Sequence, residues 1–271
     1  MKSIEFTKMV ASGNDFVVVD AFTRNLVISK NQFARKVCDR KYGVGADGLL
    51  VLEKSKTADI RMRLFNADGS EAEMCGNGAR CAALWMSSKF AVRGSKFKIQ
   101  TKAGKITAQV KGEQVKIKLT EPKGTRWDIP LRFGSRTVHV HFIDTGVPHT
   151  VIFVEGLGRI DVVNLGRQIR YHRIFSPRGT NVDFVEALSH DSIRLRTYER
   201  GVEDETLACG TGAVASALLY ARRYAKGAHL IRVHTQGREI LKVYFKSAGW
   251  KFKDVWLEGK AEIVYKGAYY V

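Results

Sequence analysis

Cys75-Gly76-Asn77-Gly78-Ala79 and Cys209-Gly210-Thr211-Gly212-Ala213 are near-copies of one stretch, and each opens an alanine-rich run that reads as a buried helix. Downstream, Ala83-Leu84 answers Ala217-Leu218. Upstream, Gly69-x-Glu71-x-Glu73 answers Gly201-x-Glu203-x-Glu205, with a two-residue insertion before the second cysteine. Such self-similarity implies a duplicated half-domain, and with it two matched thiols.

A Cys-Gly-x-Gly turn at a helix start sets the thiol beside the first backbone N–H groups and the positive end of the helix dipole, both of which favour a thiolate. A free thiol with a pKa of about 8.5 is only a few per cent ionised at neutral pH, and helix N-termini bring that value to roughly 3.5–7.5. The same N–H groups bind a carboxylate. Two such elements facing each other would hold one carboxylate between two helix ends, with a sulfur on each side of the adjacent carbon. Inversion of an amino-acid α-carbon requires that arrangement, because a single base returning its proton to the same face gives retention.

The other two cysteines read as core. Cys38 shares the apolar stripe of a helical segment, Asn31–Arg40, with Phe33, Ala34 and Val37, and Cys81 lies inside the helix that Cys75 opens. No Cys-x2-Cys pair exists and the histidines do not cluster, so no metal is expected. Four cysteines in 271 residues do not make a disulfide framework either.

Further short blocks run through nearly the whole chain: Gly13-Asn14-Asp15-Phe16, Phe65-Asn66-Ala67-Asp68-Gly69-Ser70-Glu71, Gly146-Val147-Pro148-His149, Gly179-Thr180-Asn181-Val182-Asp183-Phe184 and Tyr198-Glu199-Arg200-Gly201. Together with the cysteine blocks, in this order, they make the chain similar to the diaminopimelate epimerases, pyridoxal-phosphate-independent enzymes of lysine and peptidoglycan precursor synthesis. The resemblance implies that Cys75 and Cys209 are the acid/base pair interconverting LL- and meso-diaminopimelate without a cofactor, and that Gly76, Asn77, Gly210 and Thr211 bind the carboxylate at the reacting centre. It places Asn14, Asn66, Asn181 and Arg200 at the distal end of the substrate, counts Glu199 among the substrate-binding residues, and sets His149 and Glu199 beside the thiols as tuners of their ionisation. It further implies a homodimer. The residue types suit these roles: an asparagine amide offers donor and acceptor to a zwitterion, and arginine pairs with a carboxylate through two bonds. On the residues alone, Pro148-His149 reads equally as a loop turn and Glu199-Arg200 as a surface ion pair.

Two positions depart from the family pattern: Val147 stands where asparagine precedes the Pro-His, and Gly48 follows Asp47 where some members carry glutamine. Neither touches the thiols. A lost amide relaxes discrimination, so a broader amino-acid racemase is the alternative within the class. Gly43-Val44-Gly45-Ala46-Asp47-Gly48 satisfies the Gly-x-Gly-x-x-Gly pattern of dinucleotide folds, but a helix precedes it and a strand follows, the reverse of the required order, so it reads as a loop.

Alternating strand-like segments dominate the rest: Phe16–Asp20, Leu49–Glu53, Phe97–Thr101, Lys105–Val110, Val115–Leu119, Val138–Phe142, Val151–Val154, Ile193–Tyr198, Ile231–Thr235 and Ile240–Phe245. The expected fold is α+β, two similar domains related by duplication. The family implies that each is a mostly antiparallel sheet wrapped around a central helix, with the active site in the cleft between them. The halves are expected at 1–122 and 123–262, the boundary near Pro122–Trp127, with Ile263–Val271 returning to the first. Met1-Lys2-Ser3-Ile4-Glu5 leads straight into folded-looking sequence and no apolar run approaches the ~20 residues of a membrane span, so a cytoplasmic protein with no membrane partner is expected. The net charge of +18 raises one rival to an enzyme of small molecules, and the pair Cys75 and Cys209 a second. A nucleic-acid-binding protein would gather its basic residues, whereas here they are scattered and no recognition motif is present, so no nucleic-acid partner is expected. A thiol redox protein would have no need of two carboxylate-binding helix ends.

Overall fold

The computed structural model describes residues 3–23, 28–90, 96–249 and 251–271; Met1 and Lys2 of the amino-terminal reading lie outside them. The chain divides into two units, one running to Lys118 and taking back Gly259–Val271, the other Leu119–Glu258. The division read from the sequence falls a few residues later; Leu119 is already buried in the second unit, its N–H donated to the Val255 carbonyl at 3.0 Å.

In the first unit, β1 (Ser3–Ala11) and β2 (Asn14–Ala21) form a hairpin, and α1 (Lys30–Cys38) crosses to β3 (Gly48–Glu53), parallel to β2. Then β4 (Ile60–Asn66) and the short β5 (Glu71–Ala72) follow antiparallel. After α2 (Gly76–Lys89) come β6 (Lys96–Thr101), parallel to β4, and the antiparallel β7 (Gly104–Lys111) and β8 (Gln114–Lys118).

The second unit repeats this order. β9 (Lys123–Phe133) lies beside β10 (Arg136–Asp144), which forms a hairpin with β11 (Pro148–Phe153); α3 (Val162–Arg170) crosses to β12 (Asn181–Ser189), parallel to β11. Next come β13 (Ser192–Glu199), β14 (Asp204–Thr206), α4 (Gly210–Tyr224), and β15 (Leu230–His234), parallel to β13, with β16 (Ile240–Ala248) and β17 (Lys251–Lys260). The one offset is at the edge. β9 precedes its hairpin, whereas the strand beside β1 is the last of the chain, β18 (Glu262–Tyr270). The fold is thus a duplication of a mixed, mainly antiparallel sheet.

Both repeats bury ten consecutive helix residues, Asn77–Met86 in α2 and Gly212–Ala221 in α4. A helix without a polar face has to be enclosed on every side, and the alanines of both runs let strands approach its backbone. The outer helices are amphipathic instead. α1 buries only Phe33, Ala34, Val37 and Cys38, packed on Val17, Leu49, Val51 and Phe65. α3 packs Val162 and Ile169 on Val182, Phe184 and Tyr198, and Gly166 sits so close that a Cβ there would lie 2.5 Å from that of Tyr198. Each large apolar side chain so buried contributes about 1.5–3 kcal/mol.

An ion pair is duplicated as well. Arg63 on β4 holds Glu71 through two bonds of 2.7 and 2.9 Å, and Arg196 on β13 holds Glu205 through two of 2.7 Å. Phe65 pairs with Glu71 as Tyr198 pairs with Glu205. Both glutamates stand at the same distance before their cysteines, so Glu205 and not Glu203 is the counterpart of Glu71. The two-residue insertion read before Cys209 is therefore corrected: the extra length lies in the turn ahead of β14, where Glu203 adopts φ +60° and caps the turn from Gly201.

Candidate active site

Cys75 has extended backbone (φ −142°, ψ 126°) and is the residue before α2; its carbonyl accepts the first helical bond, from Ala79 N–H at 2.9 Å. The N–H groups of Gly76, Asn77 and Gly78 therefore have no acceptor within the helix. The Asn77 side chain is turned into the fold and committed at both ends: Oδ1 accepts from Arg80 and Nδ2 donates to Asn14 Oδ1, each at 2.5 Å. Asn14 in turn donates to Asp47 at 3.1 Å. Beside it, Asp15 is salt-bridged to Lys8 at 2.7 Å and Arg40 at 2.8 Å, and these bonds outweigh its burial and hold its carboxyl well below the usual range. Asn66, at the exposed end of β4, donates to Ser70 at 3.0 Å.

Cys209 repeats the geometry at α4, with φ −109° and ψ 110° and its carbonyl accepting from Ala213 at 2.8 Å. Its sulfur lies 3.5 Å from the Thr211 hydroxyl. Under the helix start is a buried polar cluster. His149 Nδ1 is 2.7 Å from one Asp183 oxygen, and the Thr197 hydroxyl donates to the other at 2.7 Å. His149 and Asp183 are both wholly buried. Glu199 accepts from the Thr206 hydroxyl at 3.0 Å rather than pairing with Arg200, whose guanidinium donates to the Arg178 carbonyl at 3.1 Å. Asn181 straps the neighbouring loops, accepting from Arg200 N–H at 2.8 Å and donating to the Pro148 carbonyl at 3.2 Å.

The family model for diaminopimelate epimerase matches residues 6–124 and 141–264. The chain belongs to the diaminopimelate epimerase family. A relative so described from Aquifex aeolicus is 43% identical over 278 residues, covering 97% of each chain, and one from Archaeoglobus fulgidus is 44% identical over 254 residues, covering 89% of each. Among solved structures the fold recurs in a phenazine biosynthesis protein of the PhzF family from Bacillus anthracis, with TM-score 0.76 and 18% identity over the whole of both chains. It recurs also in a hydroxyproline epimerase from Agrobacterium vitis, with TM-score 0.73 and 14% identity over 99% of this chain and 91% of that one.

Within this family member the thiols differ sharply from one another in surroundings. Burial pushes Cys38 up to about 12 and raises Cys81 further, as befits core thiols. Cys209 is also raised well above an ordinary thiol, first by burial and then by the carboxylates of Glu199 and Asp183, against which the Thr211 hydroxyl and the Gly212 N–H pull the other way. The expectation that a helix end lowers its pKa is thus reversed at Cys209 by desolvation. Burial likewise raises Glu199. Cys75 is half-exposed. No group of three or more metal-ligating side chains occurs among the described residues, and none of their helices is long and apolar enough to cross a membrane.

Each half brings together part of the predicted set: Asn14 with Asn77 in the first, and Asn181 with Arg200, and His149 with the turn at Cys209 through Asp183, in the second. Asp183 and Thr197 escaped the reading of the sequence as site residues. Their signal was an aspartate within the otherwise apolar Val182-Asp183-Phe184-Val185, since a buried carboxyl needs partners.

Proposed function

We propose that the protein is a diaminopimelate epimerase, an isomerase that interconverts LL- and meso-diaminopimelate by proton transfer between Cys75 and Cys209, with no cofactor. The single observation that supports this best is that both cysteines are the extended residue before equivalent helices buried over ten consecutive residues, each with first-turn N–H groups suited to a carboxylate. In one direction Cys209, whose ionisation burial and two carboxylates oppose, enters as the thiol, and Cys75 as the thiolate. Cys75 takes the α-proton, breaking the Cα–H bond and leaving its electron pair on the carbon. Cys209 delivers its proton to the opposite face. The net charge is unchanged and the two sulfurs have exchanged roles; the reverse direction uses them the other way round. A positioned acid or base supplies only about 10²–10⁴-fold, so the N–H groups at both helix starts must also stabilise charge developing on the substrate carboxylate.

Asn14, Asn66, Asn181 and Arg200 hold the distal amino-acid group, while His149 and Glu199 set thiol ionisation. Half-buried Val147, in place of an asparagine, favours some tolerance of other long-chain amino acids. The enzyme acts as a cytoplasmic homodimer in lysine and peptidoglycan precursor synthesis. The test is incubation of purified protein in D2O, without added cofactor, with LL-diaminopimelate and a panel of amino acids. Deuterium at the α-carbon of diaminopimelate is expected; no exchange with any substrate overturns the reading.

A further inference from the structure

The two half-sites share a backbone and differ in what lies beneath it. Parallel pairing begins at Phe16↔Gly48 in the first unit and at His149↔Asn181 in the second, and Leu50↔Leu64 corresponds to Asp183↔Thr197. The central helices confirm the correspondence: a Cβ on Gly78 would meet Leu50 Cδ2 at 3.2 Å, and one on Gly212 would meet Asp183 Oδ1 at 2.4 Å. Phe16, Leu50 and Leu64, all buried, thus occupy under α2 the places that His149, Asp183 and Thr197 occupy under α4.

An apolar floor suffices to carry the first helix, so packing alone does not require the polar one. Burying a carboxyl and an imidazole beside Cys209 costs stability unless both are satisfied. Asp183 is satisfied by His149, by Thr197 and by its place against the first turn of α4. His149 is not: Nε2 is buried and has no hydrogen-bond partner among the described residues. An ionised carboxylate accepts only, so the 2.7 Å contact puts a proton on Nδ1, and in the neutral ring Nε2 is then the lone pair. Glu199 and Cys209 are the other ionisable groups of the cluster.

We propose that Asp183 is a positioning residue that locks His149 in the Nδ1–H tautomer, so that Nε2 is kept as a proton acceptor in the Cys209 half-site, a device the Cys75 half-site replaces with hydrocarbon. The inference deepens the two-thiol reading and rests on it for its kinetic consequence, though not for the tautomer itself. It makes the two halves of a duplicated site chemically unequal before any substrate arrives.

Nitrogen NMR of protein labelled with 15N-histidine reads the tautomer directly, the His149 signals being those lost in His149→Gln. The expected spectrum has a protonated Nδ1 and an unprotonated Nε2, and Asp183→Asn, which adds a competing donor, shifts the population toward Nε2–H. In kinetics, Asp183→Asn lowers kcat/KM on the order of 10–100-fold in the parent and by a several-fold smaller factor in the His149→Gln background, where only the direct charge effect of Asp183 on Cys209 is left. Thr197→Val, which leaves the carboxylate in place, gives a smaller loss with the same dependence on His149 and serves if Asp183→Asn does not fold. A proton on Nε2 in the parent, or equal losses in both backgrounds, overturns the proposal. If no variant and no parent epimerises anything, the functional reading fails while the spectrum still decides the tautomer.

Discussion

Gly212→Ala should destabilise the protein by about 2–4 kcal/mol, whereas the equivalent Gly78→Ala should be within about 1 kcal/mol of neutral. Neither glycine has positive φ, so the effect is steric. At Gly212 the added methyl would stand 2.4 Å from Asp183 Oδ1 and 3.2 Å from its Cγ, so the carboxyl must retreat by close to 1 Å. It has nowhere to go, being wholly buried and tied by two bonds of 2.7 Å. Losing one such bond in the interior costs about 1–3 kcal/mol, and overpacking adds about 1–3, against a helix-propensity gain of at most about 1. At Gly78 the tightest contact of the methyl is with the tip of Leu50 at 3.2 Å, which a shift of a few tenths of an ångström relieves, and Cys75 Cβ at 3.7 Å is an ordinary contact. Urea unfolding followed by both far-UV circular dichroism and tryptophan fluorescence measures the difference, coincidence of the two transitions licensing the comparison. Equal losses for the two variants would refute the unequal floors inferred beneath the helices.

Cys75→Ala or Cys209→Ala alone should abolish epimerisation, because inversion needs a group on each face, while Cys38→Ala and Cys81→Ala should keep turnover; near-normal activity in either of the first two would sink the assignment. The pH profile of kcat/KM should be bell-shaped, with apparent values belonging to the coupled thiol pair. Because the Glu199 carboxylate raises Cys209, Glu199→Gln should move the alkaline limb to lower pH; an unmoved limb counts against that coupling. Arg63 holds Glu71 below the usual carboxylate range, so the pair stabilises above the unfolded value of about 4.3 and its contribution is lost as pH falls through the lower folded value. The stability gap between parent and Glu71→Gln should therefore close as the pH is taken below about 4, and a gap that persists there speaks against the ion pair. Val147→Asn should raise, and Arg200→Ala lower, the ratio of kcat/KM for diaminopimelate over lysine; an unchanged ratio in both shows that neither sets distal recognition.

Much of this architecture was written in local pattern. The paired Cys-Gly-x-Gly turns followed by alanine-rich runs announced two buried helices, and such helices have only the centre of a domain to occupy. The stripe of Phe33, Ala34, Val37 and Cys38 was legible because a one-sided helix repeats its period along the chain. The glycine-rich 43–48 segment is a loop running into a strand, as the order of its neighbours in the sequence implies: Gly45 has φ +77° and β3 follows at once. Strands β1, β4, β9, β12 and β17, with the short β5 and β14, lie outside the alternating segments of the sequence, and in β9 Gly124 and Pro130 interrupt the pattern.

What sequence alone determined is the duplication, the matched thiols and the family, all carried by residues close together in the chain. Tertiary structure decided between the two spacings the sequence offers for the partner of Glu71, one counted from Gly201 and one from Cys209, because the strand register and the arginine bonds single out Glu205. It also decided the state of Cys209. The helix start predicts an easily ionised sulfur, but burial and two carboxylates delivered by β12 and β13, distant in the chain, reverse that expectation. Desolvation and Coulomb interactions depend on what surrounds an atom in space, and no local spacing of residues encodes them.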